Sequence, residues 1–136
     1  MAYWLVKSEP GTWSWEDQAA AGRTHWDGVR NAQALGNMRR MAVGDEALFY
    51  HSGKERRIVG IVRIARAFYD DPNDPKSGLV DVETVAPLKR PVTLAGIKAD
   101  PAFADLALVR QPRLSVMPVT PAQWRRLLEM GGMTAL

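Results

Sequence analysis

The run Ile58-Val59-Gly60-Ile61-Val62-Arg63-Ile64 constrains the fold more than any other stretch of the chain. It is apolar at nearly every position and rich in β-branched residues, which marks a strand buried on both faces. Such a strand needs cover on each side, from the interior of a curled sheet on one and from a helix on the other. It is expected to run on to Phe68, and two further strands flank it, residues 46–51 before and 79–88 after. A polar connection at residues 52–55 makes the first turn, and a loop of prolines, aspartates and an asparagine at 70–78 makes the second. Gly60, inside the central strand, is expected to mark a bulge or a close backbone approach.

The other segments fit around these three. Tyr3 to Lys7 reads as a first strand, closed by Pro10-Gly11. Ser14 with Asp17 three residues on opens a short helix as a capping box, and Gly22 stops it. A loop carrying Trp26 follows, and Asn31 caps a second helix reaching about Met41. Residues 91–106 read as one or two short helical turns, with Asp100-Pro101 as cap and first position. A last short strand at 114–119 precedes a helix begun by Thr120-Pro121, with Trp124, Leu127 and Leu128 on one side. The pattern predicts an α+β fold: a small mixed β-barrel of five to six strands with short helices at its ends. One domain over residues 1–136 accommodates all of it.

Bulk properties exclude some classes. No apolar run approaches the roughly 20 residues of a membrane span, so no membrane partner is expected. Met1 to Lys7 has no basic region ahead of its apolar stretch, unlike a secretory leader. The absence of cysteine removes disulfides and thiolate sites and fits a reducing compartment, so a cytoplasmic location is expected; a monomer is expected as well. The net charge of +3 is a mild bias. Its cations cluster, and Arg39, Arg40, Lys54, Arg56 and Arg57 are the candidates for contacting phosphates. A scattered, solvated basic surface explains the same clusters equally well.

Little in the chain supports catalysis. His25 and His51 are the two histidines, and neither stands four residues from another ligand on a helix, so no metal or other cofactor is expected. No glycine-rich run ends in Lys-Ser or Lys-Thr, so no phosphate loop is expected. His51 and Ser52, as neighbours on a strand, point to opposite faces. His51 reaching Ser8 across strands is geometrically open, but no nucleophile elbow accompanies it. Binding fits better. Trp26 with Asp27, Arg30 and Asn31, and His51 with Ser52, put aromatic rings beside hydrogen-bonding groups, as a pocket for a planar ring requires. A tryptophan in a loop is also a common core plug, and both roles stay open for Trp26.

Those same blocks resemble the EVE-domain family, whose animal members are called thymocyte nuclear proteins. The resemblance rests on Tyr3 to Pro10, Trp26 to Ala34, Gly44-Asp45, Phe49 to Ser52, Val59-Gly60-Ile61, Val80-Asp81-Val82 and Arg113 to Val119, in order, ahead of a helix containing Trp124. It implies a PUA-like fold, distant kinship with YTH domains, and a non-catalytic module that holds a modified nucleobase, chiefly modified cytosine in DNA. RNA is the other nucleic acid implied.

By position, the resemblance places Lys7 and Ser8 at the base pocket, Trp26 as an aromatic cage wall, and Asn31 and Ser52 as polar groups facing the ligand. Glu9, Arg30 and His51 complete the expected binding set. Many relatives carry an aromatic just before the Val-Asp-Val strand; here the sequence is Ser77-Gly78-Leu79, so Leu79 is the expected apolar wall. Two other readings stay open. One is an enzyme acting on a base or nucleotide-like ligand through Glu9 or His51; the other is an interaction module whose pocket is vestigial.

Overall fold

The computed structural model describes residues 1–133. Among the described residues six strands form one mixed sheet: β1 (Tyr3–Ser8), β2 (Arg23–Trp26), β3 (Glu46–His51), β4 (Arg57–Asp70), β5 (Gly78–Thr93) and β6 (Val116–Val119). Their order across the sheet is β2-β5-β4-β3-β1-β6. Only β1 and β3 run parallel; every other pair is antiparallel. The α+β class is as expected. Closure is not: β2 and β6 are the two edges and do not pair, so the sheet is not a closed barrel.

Short helices cover the sheet: α1 (Trp15–Ala21), α2 (Ala32–Arg39), α3 (Leu94–Lys98), α4 (Ala107–Arg110) and α5 (Pro121–Met130), with one 3₁₀ turn at Pro101–Phe103. Their starts follow local chemistry. Ser14 and Asp17 form the expected capping box, and Thr120 with Gln123 forms a second. Asn31 accepts from the Ala34 amide and Asp100 from the Ala102 amide. Among these residues no helix is long and apolar enough to cross a membrane.

Three elements depart from the sequence reading. Trp26 lies on a strand, not in a loop. β2 is only four residues long, too short to show an alternating pattern in the sequence, and takes its register from β5, pairing Arg23 with Glu83 and Trp26 with Val80. β5 contains Pro87 and runs five residues past Leu88, through Pro91, to Thr93. Pro87 stands opposite Gly60, and the register shifts between Ile58 and Gly60, so the proline sits at an irregularity where a missing donor costs little. The helical region therefore begins at Leu94 and breaks into three pieces.

The core explains Gly60. A Cβ placed there would stand 2.4 Å from Cζ3 of Trp15, so the α1 indole lies directly on the bare backbone of β4. Trp15 also meets Phe49 edge-on, with centroids 5.3 Å apart. At the far end of β1, Asp45 accepts from the Trp4 indole at 3.0 Å and from the amides of Ala42 and Ala2. Burial works against its charge, but these donors outweigh it and hold the carboxyl below the usual range. On α5, Trp124 is buried and stacks on Tyr3 at 4.4 Å, as the apolar side of that helix predicts.

Candidate functional site

The end of β1 and the edge strand β2 frame a cleft of about 490 Å³. That is within the ~300–1,000 Å³ typical of small-ligand pockets. Lys7, Ser8 and Glu9 enter from the end of β1; Thr24, His25 and Trp26 enter from β2. Thr12 and Trp13 come from the turn after β1, and Asp27 and Gly28 from the loop after β2.

That turn is tightly held. The amides of Thr12 and Trp13 both donate to the Glu9 carbonyl at 2.9 Å. The Ser8 hydroxyl donates to the Trp13 carbonyl at 2.5 Å, so Ser8 fixes the turn that presents Trp13. The Trp13 indole donates to Oε1 of the fully buried Gln18 at 2.9 Å, and Gln18 in turn donates to Thr84. Trp13, half-buried, is thereby held at the cleft from both its backbone and its ring.

Trp26 is only 6% exposed and belongs to the hydrophobic core. Phe49 meets it edge-on at 5.5 Å, so what the cleft receives is the margin of a core residue. Trp26 is thus a core residue whose edge also lines the cleft. Lys7 sends its ammonium to the Pro112 carbonyl at 2.8 Å, with the Tyr50 ring 5.7 Å away. Burial lowers its pKa. Two of its three N–H donors are left for other partners. Glu9 is exposed, and among the described residues its carboxylate makes no ion pair.

Of the nine expected ligand-facing residues, Lys7, Ser8, Glu9 and Trp26 line this cleft and the other five do not. Asn31 spends its side-chain oxygen on the α2 cap and borders a separate groove with Gln33, Gln111 and Arg113. Arg30 turns to Asp74 at 2.8 Å, tying the loop after β2 to the β4–β5 loop. Ser52 supports the end of β1 through its amide, which donates to the Ser8 carbonyl at 2.9 Å. Leu79 is buried on β5, one residue from the partner of Trp26, and forms no part of the cleft wall.

His51 is 4% exposed and fully engaged. Its Nε2 accepts from the Trp15 amide at 3.0 Å, which leaves the ring proton on Nδ1, facing Glu55 at 2.9 Å. It has no free nitrogen with which to act as a base on Ser8 or on a ligand. Among the described residues no three His, Asp, Glu or Cys side chains stand together as a metal site.

The expected phosphate contacts divide in space. At the end of α2 Arg39 lies over Phe68, and Arg40, just beyond the helix, lies over Trp4. Trp4 is four residues up β1 from Ser8, about 13 Å at strand rise. Arg40 is therefore off the rim, and neither Arg39 nor Arg40 lines the cleft. Lys54, Arg56 and Arg57 are at the β3–β4 turn, where Gly53 abuts the Glu9 carboxylate beside the cleft.

The sequence expectations did not include Thr12, Trp13, Thr24, His25 or Gly28, whereas Asp27, already set beside Trp26, does line the cleft. Recognising β2 would have found Thr24, which shares a face with Trp26 at spacing two. The Pro10-Gly11 turn, which folds the chain back toward Ser8, was the signal for Trp13.

A family model described as the EVE domain matches residues 2–130. Human thymocyte nuclear protein 1 is 32% identical over 165 residues, covering 95% of this chain and 73% of that protein. The NMR structure of a Rhodopseudomonas palustris protein is 48% identical at TM-score 0.93, covering 100% of this chain and 97% of its own. The crystal structure of the human thymocyte protein in complex with DNA containing 5-methylcytosine is 32% identical at TM-score 0.88, covering 99% and 100%.

Proposed function

The chain belongs to the EVE-domain family, and from that premise we propose that it is a non-catalytic module that holds a modified cytosine of DNA in the Trp13–Trp26 cleft. The observation that carries this reading is the pairing of two tryptophans with unspent polar groups in one cleft of ligand size. The human relative's complex with 5-methylcytosine DNA supports the choice of base. Trp13 and the margin of Trp26 offer apolar surface to the ring. Glu9 offers an acceptor for the exocyclic amine, the group by which a carboxylate distinguishes cytosine from thymine. Thr12 and Thr24 supply methyl groups of the kind a C5-methyl packs against.

Energetics set what to expect. Stacking contributes about 1–3 kcal/mol per base, and extruding a base from a duplex costs a few kcal/mol. A free nucleoside therefore binds weakly, and a strand needs backbone contacts as well. Fluorescence anisotropy tests the reading with single-stranded and duplex oligonucleotides that differ only in one central 5-methylcytosine, cytosine or thymine. The reading expects the methylated cytosine to bind tightest and thymine weakest; equal binding of all three contradicts it.

A further inference from the structure

Beside the cleft lies a second, smaller hollow of about 240 Å³, bounded by Lys54, Arg56 and Lys98. We propose that this hollow binds a backbone phosphate of the nucleic-acid strand whose base occupies the Trp13–Trp26 cleft. The inference rests on the base-binding reading and assigns a site that the reading itself does not supply.

Charge is the first observation. Three cations line the hollow against one acid, Glu55, and Glu55 is already engaged by His51 at 2.9 Å and Arg57 at 3.1 Å. Among the described residues, Lys54, Arg56 and Lys98 form no ion pair. All three are exposed. A concave site with three uncompensated cations suits a phosphate, and arginine suits its geometry through a two-pronged hydrogen bond.

Backbone strain is the second. Arg56 has φ of 47°, and among the described residues no other non-glycine has positive φ. Glycine would take that conformation without strain. The Leu94 amide, donating to the Arg56 carbonyl at 2.9 Å, holds the strained residue in place. An arginine kept where glycine is favoured points to work for its guanidinium.

Position is the third. In the sheet order β3 lies directly beside β1, so the β3–β4 turn flanks the β1 end that forms the cleft. Ser52 donates to Ser8, and Gly53 meets Glu9, itself a cleft residue. Lys54 is the next residue along. A strand that lowers one base into the cleft therefore has a cationic hollow immediately beyond the Glu9 wall.

The test compares the wild-type protein with Arg56→Gly/Lys98→Gln and, separately, with Lys54→Glu at its exposed turn position. Binding to a short single strand carrying one 5-methylcytosine is measured across a salt series, and binding of the free nucleoside 5-methylcytidine is followed by NMR. The expected result is weaker oligonucleotide binding by both variants and, for the double variant, a salt slope shallower by about 0.7, because one phosphate is no longer neutralised. Nucleoside binding should match wild type. If either folded variant binds the oligonucleotide with wild-type affinity and slope, the phosphate hollow is overturned and the base reading stands. If the wild-type protein binds neither the oligonucleotide nor the nucleoside, the base reading falls and takes the hollow with it.

Discussion

Trp26 meets Phe49 edge to face, with ring centroids 5.5 Å apart and planes at 88°, so a wall of the cleft is also a piece of the core. Truncating Trp26 is therefore mainly a stability experiment. Trp26→Ala is expected to cost about 3–5 kcal/mol in denaturant unfolding, as large core deletions do. Trp13 is the cleaner probe of binding. Trp13→Ala should weaken base binding by about 1–3 kcal/mol, the worth of one stacking platform, in anisotropy titrations on a variant first shown to be folded.

Gly60 and Trp15 give a prediction about packing alone. Gly60→Ala places a methyl 2.4 Å from the Trp15 ring, and the indole is hemmed in by Phe49. Overpacking of this kind costs about 1–3 kcal/mol, read as a lower unfolding midpoint. Pairing it with Trp15→Leu should recover part of the loss, because the smaller side chain vacates the space the methyl needs.

Asp45 predicts a pH dependence. Its folded-state pKa lies below the ordinary value, so its contribution is present above the ordinary range and disappears as pH falls through the lowered value. Asp45→Asn should cost about 1.5–3 kcal/mol near neutral pH, where it replaces a charged acceptor of three donors. The gap between variant and wild type should narrow in acid, measured by urea unfolding at several pH values.

Much of the fold was legible in the sequence because local chemistry decides it. Ser14, Asn31, Asp100 and Thr120 all cap where their side chains say they should, and the apolar run from Ile58 locates the sheet centre. β2 was not legible, since Arg-Thr-His-Trp becomes a strand only through its partner β5. The site followed the same rule. Lys7, Ser8, Glu9 and Trp26 come together at the cleft, whereas Asn31 spends its side-chain oxygen on a helix cap, His51 its ring nitrogens on the Trp15 amide and Glu55, and Ser52 reaches Ser8 through its backbone amide without lining the cleft. A hydrogen-bonding residue near a pocket in sequence is often already satisfied in the fold.

Glu9 carries the prediction about selectivity. Its exposed carboxylate is the acceptor assigned to the cytosine amine, so Glu9→Ala should reduce the preference for 5-methylcytosine over thymine by about 1–3 kcal/mol. Stability should change little, since among the described residues the side chain makes only a long 3.4 Å hydrogen bond with the Gly11 amide. Competition between matched oligonucleotides measures the preference directly.

The base-binding account is tested most directly by the indole N–H resonances of the five tryptophans in a ¹⁵N-labelled protein titrated with a single strand containing one 5-methylcytosine. The account predicts that the Trp13 and Trp26 signals shift or broaden in step with binding. The Trp4 signal, held by Asp45 at the opposite end of β1, should stay where it is and serve as the internal control. Binding that leaves Trp13 and Trp26 unmoved would contradict the account and place the nucleic acid elsewhere on the protein.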